Sequence, residues 1–212
     1  GSAASGDFHP DFSDINILCV MHELSAETLA ALAPAIRGWS KKKFPAPLLI
    51  ARTELLDSAD VFAIEMLDIC QHHRILYGED IFAGLHVPMN LHRIQLEHNL
   101  RTKLLTLRQT YIQVVGDETR VRRLMLDSVS NFSTLFRHTL IALGEQPTAS
   151  KADNIRKLAE RIEFDPAIFL QLLQVRARAA KENEIDPNTG FANYLAGINQ
   201  AIQAIDALKT DR

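Results

Sequence analysis

The feature that most constrains this chain is helical apolar spacing that begins near residue 90 and continues to the end. Residues on one predicted helix face recur at steps of three and four, at Leu100, Leu104, Leu107, Tyr111 and Val114. Glycine, serine and Asp-Pro signals divide the remainder into further helices, with a polar loop over 181–190 and a last helix over 191–208. Short connections between these helices predict an all-helical bundle over residues 89–212.

Residues 1–88 follow a different pattern, in which short apolar runs alternate with turns. Three such runs, Ile15–Met21, Pro47–Ala51 and Val61–Ile69, predict strands. Ser25 is a good N-cap for a helix between the first two runs. A strand, helix, strand order is typical of an α/β unit. We therefore expect an α+β protein, in which a small mixed β-sheet domain (1–88) precedes the helical bundle domain.

Charge and composition argue against several classes of function. The formal net charge of −3 and a pI of about 6.3 give no overall attraction to nucleic acid, so a nucleic-acid partner is not expected. No stretch offers the roughly 18–20 apolar residues that a membrane span needs. Cys19 and Cys70 lie in apolar runs and are interpreted as buried free thiols, which favours a cytoplasmic location.

The first sixteen residues carry the side chains best suited to chemistry. Gly1 and Ser2 begin a segment of small residues, whose backbone N–H groups can approach an anion closely. Asp14 and Asn16 lie two residues apart at the start of the first predicted strand, so their side chains share one face. Glu65 lies in the middle of the third predicted strand, where a carboxylate needs a partner or a wet edge. An anion cradle beside an acidic strand suits a metal–nucleoside triphosphate complex.

This stretch resembles the signature of the DNA polymerase beta-like nucleotidyltransferases, which include kanamycin nucleotidyltransferase-like proteins. That signature is a Gly-Ser pair, a short spacer and then Asp-x-Asp on a strand. Here eleven residues separate Gly1-Ser2 from Asp14-Ile15-Asn16. The family's third carboxylate lies on a later strand, for which Glu65 is the natural counterpart. The resemblance covers roughly residues 1–90 and implies a nucleotidyltransferase-like domain there.

The resemblance implies Mg²⁺-dependent transfer of a nucleoside monophosphate from a nucleoside triphosphate onto a hydroxyl-bearing acceptor. Asp14 and Glu65 would be the catalytic carboxylates and would bind Mg²⁺ together with Asn16. Gly1 and Ser2 would bind the phosphates. The sequence does not select the nucleotide or the acceptor.

Two arginines in the first predicted bundle helix, Arg101 and Arg108, are candidates for nucleotide binding because they could reach a triphosphate. Glu97 and Arg101 also form an i,i+4 pair, which is a common solvated surface feature, so both interpretations stay open. Four apolar residues of the second predicted helix are either bundle core or an oligomer face, which leaves a homo-oligomer possible: Phe132, Leu135, Phe136 and Leu140.

Two departures from the family pattern support an alternative function. Asn16 stands where the family has its second aspartate, and an amide oxygen can coordinate a cation but brings no charge. The helix and strand that the family places before its Gly-Ser pair are not found in this sequence. Glu65 is also open to a structural ion pair. The alternative is a catalytically impaired nucleotidyltransferase-like protein that acts by binding or by protein–protein interaction.

Overall fold

The structure is a computed structural model, and it describes residues 4, 15–41 and 44–208. Within this part the elements run, in chain order, β1 (Leu18–Met21), α1 (Ala26–Ser40), β2 (Leu48–Ala51), α2 (Arg52–Asp57), α3 (Ala63–Gln71), α4 (His92–Val114), α5 (Glu118–Ala142), α6 (Lys151–Ile162), α7 (Ala167–Arg176), a 3-10 turn (Glu182–Glu184) and α8 (Pro187–Ala207). Most of these elements are helices, and the sheet is small. Both features agree with the predicted α+β class. The chain divides into two compact units, Gly1–His92 and Arg93–Arg212.

The sheet of the amino-terminal unit is a parallel pair of strands joined by a helical crossover. Leu18 of β1 is level with Leu48 of β2, and the pairing continues to Met21 and Ala51. α1 provides the crossover that parallel strands need. Ser25 caps α1 as predicted, because its side chain accepts a hydrogen bond from the Thr28 backbone at 3.2 Å. The expected mixed sheet is, in the described residues, this parallel pair alone.

The third predicted strand is wrong. Residues 58–62 form turns, and α3 begins at Ala63. Ala63, Ile64 and Met66 are buried, which is the spacing of a helix face rather than the alternation of a strand. A short apolar run fits either structure, and tertiary packing here selects the helix.

The core of the amino-terminal unit is small. Its buried residues lie on α2, in the turn between α2 and α3, on α3 and in the segment that follows: Leu55, Ala59, Ala63, Met66, Phe82 and Val87. Both strands contribute only partly buried side chains to it. Cys19 and Cys70 are free thiols, as predicted, but both are half-buried rather than buried. Partial burial, together with the nearby Asp80 carboxylate, raises the pKa of the Cys70 thiol.

α5 is the central helix of the carboxy-terminal unit. It contacts α6, α7 and α8, and every residue from 135 to 140 is buried. The aromatic rings around it pack closely: Phe136 and Phe169 have centroids 5.0 Å apart, and Phe169 and Tyr194 are 4.8 Å apart. The four apolar residues that left an oligomer face open are bundle core, because Phe132, Leu135, Phe136 and Leu140 are at most 5% exposed.

The start of the last helix differs from the prediction. α8 begins at Pro187 rather than at residue 191, and the predicted loop contains a 3-10 turn. The Asp186 carboxylate accepts hydrogen bonds from the backbones of Asn188 and Thr189. Asp186 is thus the N-cap and Pro187 the first helical residue. An Asp-Pro pair in these positions favours a helix start. No helix in the described part of the chain is long and apolar enough to span a membrane.

Candidate functional site

Of the residues predicted at the amino terminus to bind phosphate or metal, the structure describes Asn16. Gly1, Ser2 and Asp14 lie outside the described residues, so their roles stay predictions. Asn16 is described and exposed, two residues before β1. The Ile17 carbonyl next to it accepts a hydrogen bond from the Leu48 backbone at 2.9 Å. Asn16 therefore lies where the parallel strand pair begins.

Glu65 is not on a strand, because the predicted third strand is helix α3. It lies in the first turn of α3 and is exposed. A carboxylate in the first turn interacts favourably with the positive end of the helix dipole. Glu65 is therefore not enclosed by an apolar strand, and solvent reaches its carboxylate. Its role as a Mg²⁺ ligand stays a prediction.

The two arginines predicted to bind nucleotide both have protein partners. Arg101 Nε donates to Glu97 Oε1 at 2.8 Å, and Arg101 Nη2 lies 3.6 Å from Asp206 Oδ1. Arg108 Nη2 donates to Asn199 Oδ1 at 3.2 Å. Two carboxylates already offset the charge of Arg101, whereas the partner of Arg108 is a neutral amide. Arg108 is the stronger remaining candidate for an anionic ligand.

Glu97, the carboxylate of α4, accepts hydrogen bonds from two arginines. Besides Arg101, it accepts a hydrogen bond from Arg93 Nη1 at 3.0 Å. The hydrogen bond from Arg101 is the main reason that the pKa of Glu97 is lowered, with Arg93 adding to it against partial burial. The i,i+4 interpretation of Glu97 and Arg101 is thus confirmed as a contact, and the phosphate-binding interpretation of Arg101 stays a prediction.

The described residues contain no group of three or more His, Cys, Asp or Glu side chains placed to hold a metal ion. Because Asp14 lies outside them, the predicted Mg²⁺ site of Asp14, Asn16 and Glu65 cannot be completed from their geometry. Of the adjacent pair His72-His73, His72 is the C-cap residue of α3, and both ring nitrogens of His73 contact protein oxygen atoms.

Sequence reasoning missed the closed loop that follows α3. His73 Nδ1 lies 2.7 Å from the Ile69 carbonyl oxygen, and His73 Nε2 lies 3.1 Å from Asp80 Oδ1. Asp80 also accepts a hydrogen bond from the Phe82 backbone at 2.9 Å. Partial burial opposes the change, but the hydrogen bonds from Phe82 and His73 prevail and lower the pKa of Asp80. The signal in the sequence was His73 and Asp80 flanking the apolar triplet Ile75-Leu76-Tyr77.

The described residues thus form a parallel βαβ unit and a helical bundle, and of the amino-terminal motif they include Asn16. No protein-family model matches this chain, and neither a curated protein nor a solved structure matches it.

Proposed function

We propose that this chain is a nucleotidyltransferase that moves a nucleoside monophosphate from a nucleoside triphosphate onto a hydroxyl acceptor. One observation carries the proposal: β1, which begins two residues after Asn16 rather than at the predicted Ile15, pairs with β2 in a βαβ unit. The nucleotidyltransferase signature requires its acidic residues at such a strand. Asn16 is exposed at the start of that strand, where an oxygen ligand would meet a hydrated cation.

In this proposal the amino-terminal residues hold the triphosphate and its metal. Asp14, Asn16 and Glu65 would bind Mg²⁺, and Gly1 and Ser2 would bind the phosphates through their backbone. When bound, Mg²⁺ would neutralise charge on the triphosphate. The residues of the chain would orient the triphosphate for attack by the acceptor hydroxyl.

Nucleotide binding is tested first by thermal unfolding of the full chain with ATP, GTP, CTP or UTP, each with and without Mg²⁺. A ligand at about 100 times its dissociation constant adds about 2.7 kcal/mol to the free energy of unfolding. We expect one of the nucleotides to raise the melting temperature, and to do so only with Mg²⁺. Unchanged melting temperatures with all four would rule the proposal out.

The role of Asn16 is tested by Asn16→Asp, which supplies the carboxylate that the family signature has. We expect tighter binding of the Mg²⁺–nucleotide complex, because the added charge faces the cation. Asn131→Asp is the matched control, since Asn131 is an exposed asparagine of α5 in the other unit. Equal affinity in wild type and Asn16→Asp would show that position 16 is not in a metal site.

A second candidate function is supported by the position of Glu65. An exposed carboxylate on the first turn of α3 is not where the family signature has its third acid, and Asn16 already removes one charge. Both features favour a catalytically impaired protein that binds nucleotide and acts through protein contacts. Mg²⁺-dependent stabilisation without any release of pyrophosphate, when Asn16→Asp restores that release, would select this second function over the first.

A further inference from the structure

A short loop of the amino-terminal unit presents apolar side chains to solvent. We call residues 74–79 the finger. Ile75, Leu76 and Tyr77 are consecutive and are 42%, 72% and 98% exposed. Isolated exposed apolar residues are common, but a contiguous set of three that includes an aromatic ring is typical of an interaction surface.

Side-chain contacts fix the position of the finger. His73 and Asp80 bond to each other across its base at 3.1 Å, and His73 also bonds to the end of α3. Arg52 of α2 forms an ion pair with Glu79 at its side. Gly78 has a φ of +80°, which glycine adopts without strain and which lets the chain turn at the tip. A loop fixed in this way loses little conformational entropy when it docks.

The same unit exposes a second apolar surface, at the connection between α2 and α3. We call residues 56–62 the corner. Leu56, Val61 and Phe62 are each about half exposed, at 51%, 53% and 46%. Between them the chain buries Ala59, so the corner is anchored to the core while its larger apolar side chains face solvent.

Charge distinguishes the two surfaces. The finger begins with Arg74, which is exposed and has no ion-pair partner among the residues that the structure describes. The corner carries Asp57, which is exposed, and Asp60, which is partly exposed. Glu79 of the finger is already paired with Arg52, so Arg74 supplies the unpaired charge of the finger, whereas the corner carries two carboxylates. Opposite charges beside matching apolar side chains give complementarity in both register and sign.

We propose that a second copy of this chain binds here, with the finger of each copy docked on the corner of the other. Two-fold symmetry makes such an interface self-complementary, because finger meets corner twice. In each contact Arg74 faces Asp57 and Asp60, and Tyr77 packs against Phe62 and Leu56. This inference goes beyond the proposed nucleotidyl transfer and does not rest on nucleotide binding.

The test is sedimentation of the full chain at rising micromolar concentrations, with charge-reversed variants. We expect wild type to form dimers and Arg74→Glu to remain monomeric. The double variant Asp57→Arg, Asp60→Arg also remains monomeric, because its corner repels Arg74. A mixture of the two variants forms dimers again, since both contacts in the mixed pair regain opposite charges. Each variant is first shown to unfold like wild type.

Arg120→Glu is the matched control, because Arg120 is an exposed arginine of the other unit. We expect it to dimerise like wild type, and we expect Tyr77→Ser to weaken dimerisation at least about tenfold. A wild-type chain that stays monomeric overturns the proposal, even if the finger then binds neutral phosphatidylcholine vesicles or another protein. Dimers that survive both charge reversals, or that the mixture fails to restore, overturn it as well.

Discussion

The two compact units differ in how completely they bury their apolar side chains. The carboxy-terminal unit encloses one half of α5 on every side with aromatic and aliphatic residues. Among its described residues, the amino-terminal unit has a core cluster of six buried side chains and leaves Leu48, Leu76 and Tyr77 largely exposed. The carboxy-terminal unit also exposes Ile94, Leu105, Ile112 and Val115, on α4 or next to it, but most of the exposed large apolar side chains among the described residues lie in the βαβ unit. Paired substitutions, one in each unit, test whether the two units differ in how much stability their apolar side chains contribute.

The largest expected effect is at Phe169, which is fully buried against Phe136 and Tyr194. Phe169→Ala removes the ring and leaves a cavity, so the free energy of unfolding should fall by about 3–5 kcal/mol. Leu29→Ala, in the amino-terminal unit, should cost less than about 1 kcal/mol because the Leu29 side chain is 44% exposed. Urea denaturation of both variants measures the difference. Similar losses at the two positions would contradict the proposed contrast in burial.

A smaller effect is expected where α8 packs closely against α7. A Cβ atom placed on Gly197 would lie 2.7 Å from Phe169 Cε2 and 2.9 Å from Phe164 Cδ2. Gly197→Ala should therefore lower the free energy of unfolding by about 1–3 kcal/mol through overpacking. Gly38→Ala in α1 meets no atom within 4 Å and should instead stabilise, by up to about 1 kcal/mol. A tolerated Gly197→Ala would mean that the two helices are less tightly packed than the structure has them.

Alkaline pH should separate the two units through their tyrosines. Burial raises the pKa of Tyr194, whose hydroxyl lies 3.0 Å from the Ser128 hydroxyl. Because the folded pKa exceeds the unfolded value near 10, its contribution to stability is complete below about pH 10. Above that it is lost at up to about 1.4 kcal/mol per pH unit. Tyr194→Phe should remove this alkaline slope.

Tyr77→Phe is the matched control for that measurement, because the Tyr77 side chain is 98% exposed and its substitution leaves the buried Tyr194 unchanged. The readout is urea denaturation at a series of pH values between 9 and 11, estimated as roughly the range in which tyrosine titrates. An unchanged slope in Tyr194→Phe would assign the alkaline sensitivity to other groups.

The smallest expected effect concerns ion pairs. Glu97, 22% exposed, bonds to both Arg93 and Arg101, whereas Glu79 is 66% exposed in its pair with Arg52. Glu97→Gln should cost roughly 0.5–1 kcal/mol, and Glu79→Gln close to nothing. The pKa of Glu97 is lowered in the fold, so its contribution is present above the unfolded pKa and is lost as the pH falls. The difference between wild type and Glu97→Gln should thus vanish in acid.

Sequence reasoning succeeded where one pattern had one structural solution. The apolar stripe on α4 is predicted by its spacing, and Leu100, Leu104 and Leu107 are indeed buried. Asp117 caps α5 by accepting from the Arg120 backbone at 3.1 Å, as its position before an amphipathic run indicates. Gly116 adopts a φ of +94°, the conformation that favours glycine after a helix end.

Prediction from the sequence failed where one pattern is compatible with two secondary structures. The run from Val61 to Ile69 is too short for periodicity to separate a strand from a helix, so Glu65 was placed on the wrong element. The Asp186-Pro187 pair lies within the predicted polar loop over 181–190 but begins α8, just as α7 begins directly after the Asp165-Pro166 pair. The closed loop between His73 and Asp80 depends on a side-chain contact across seven residues, and the spacing of these two residues around an apolar triplet is too weak a signal to predict that contact.

The position of α5 in the chain has a consequence for synthesis. This helix emerges from the ribosome before α6, α7 and α8, the helices that later enclose it. Until α8 has been made, the apolar rings of Phe132 and Phe136 have no complete shelter from water and can bind other nascent chains. The exposure of these rings to water is therefore greatest in the interval between the synthesis of α5 and that of α8.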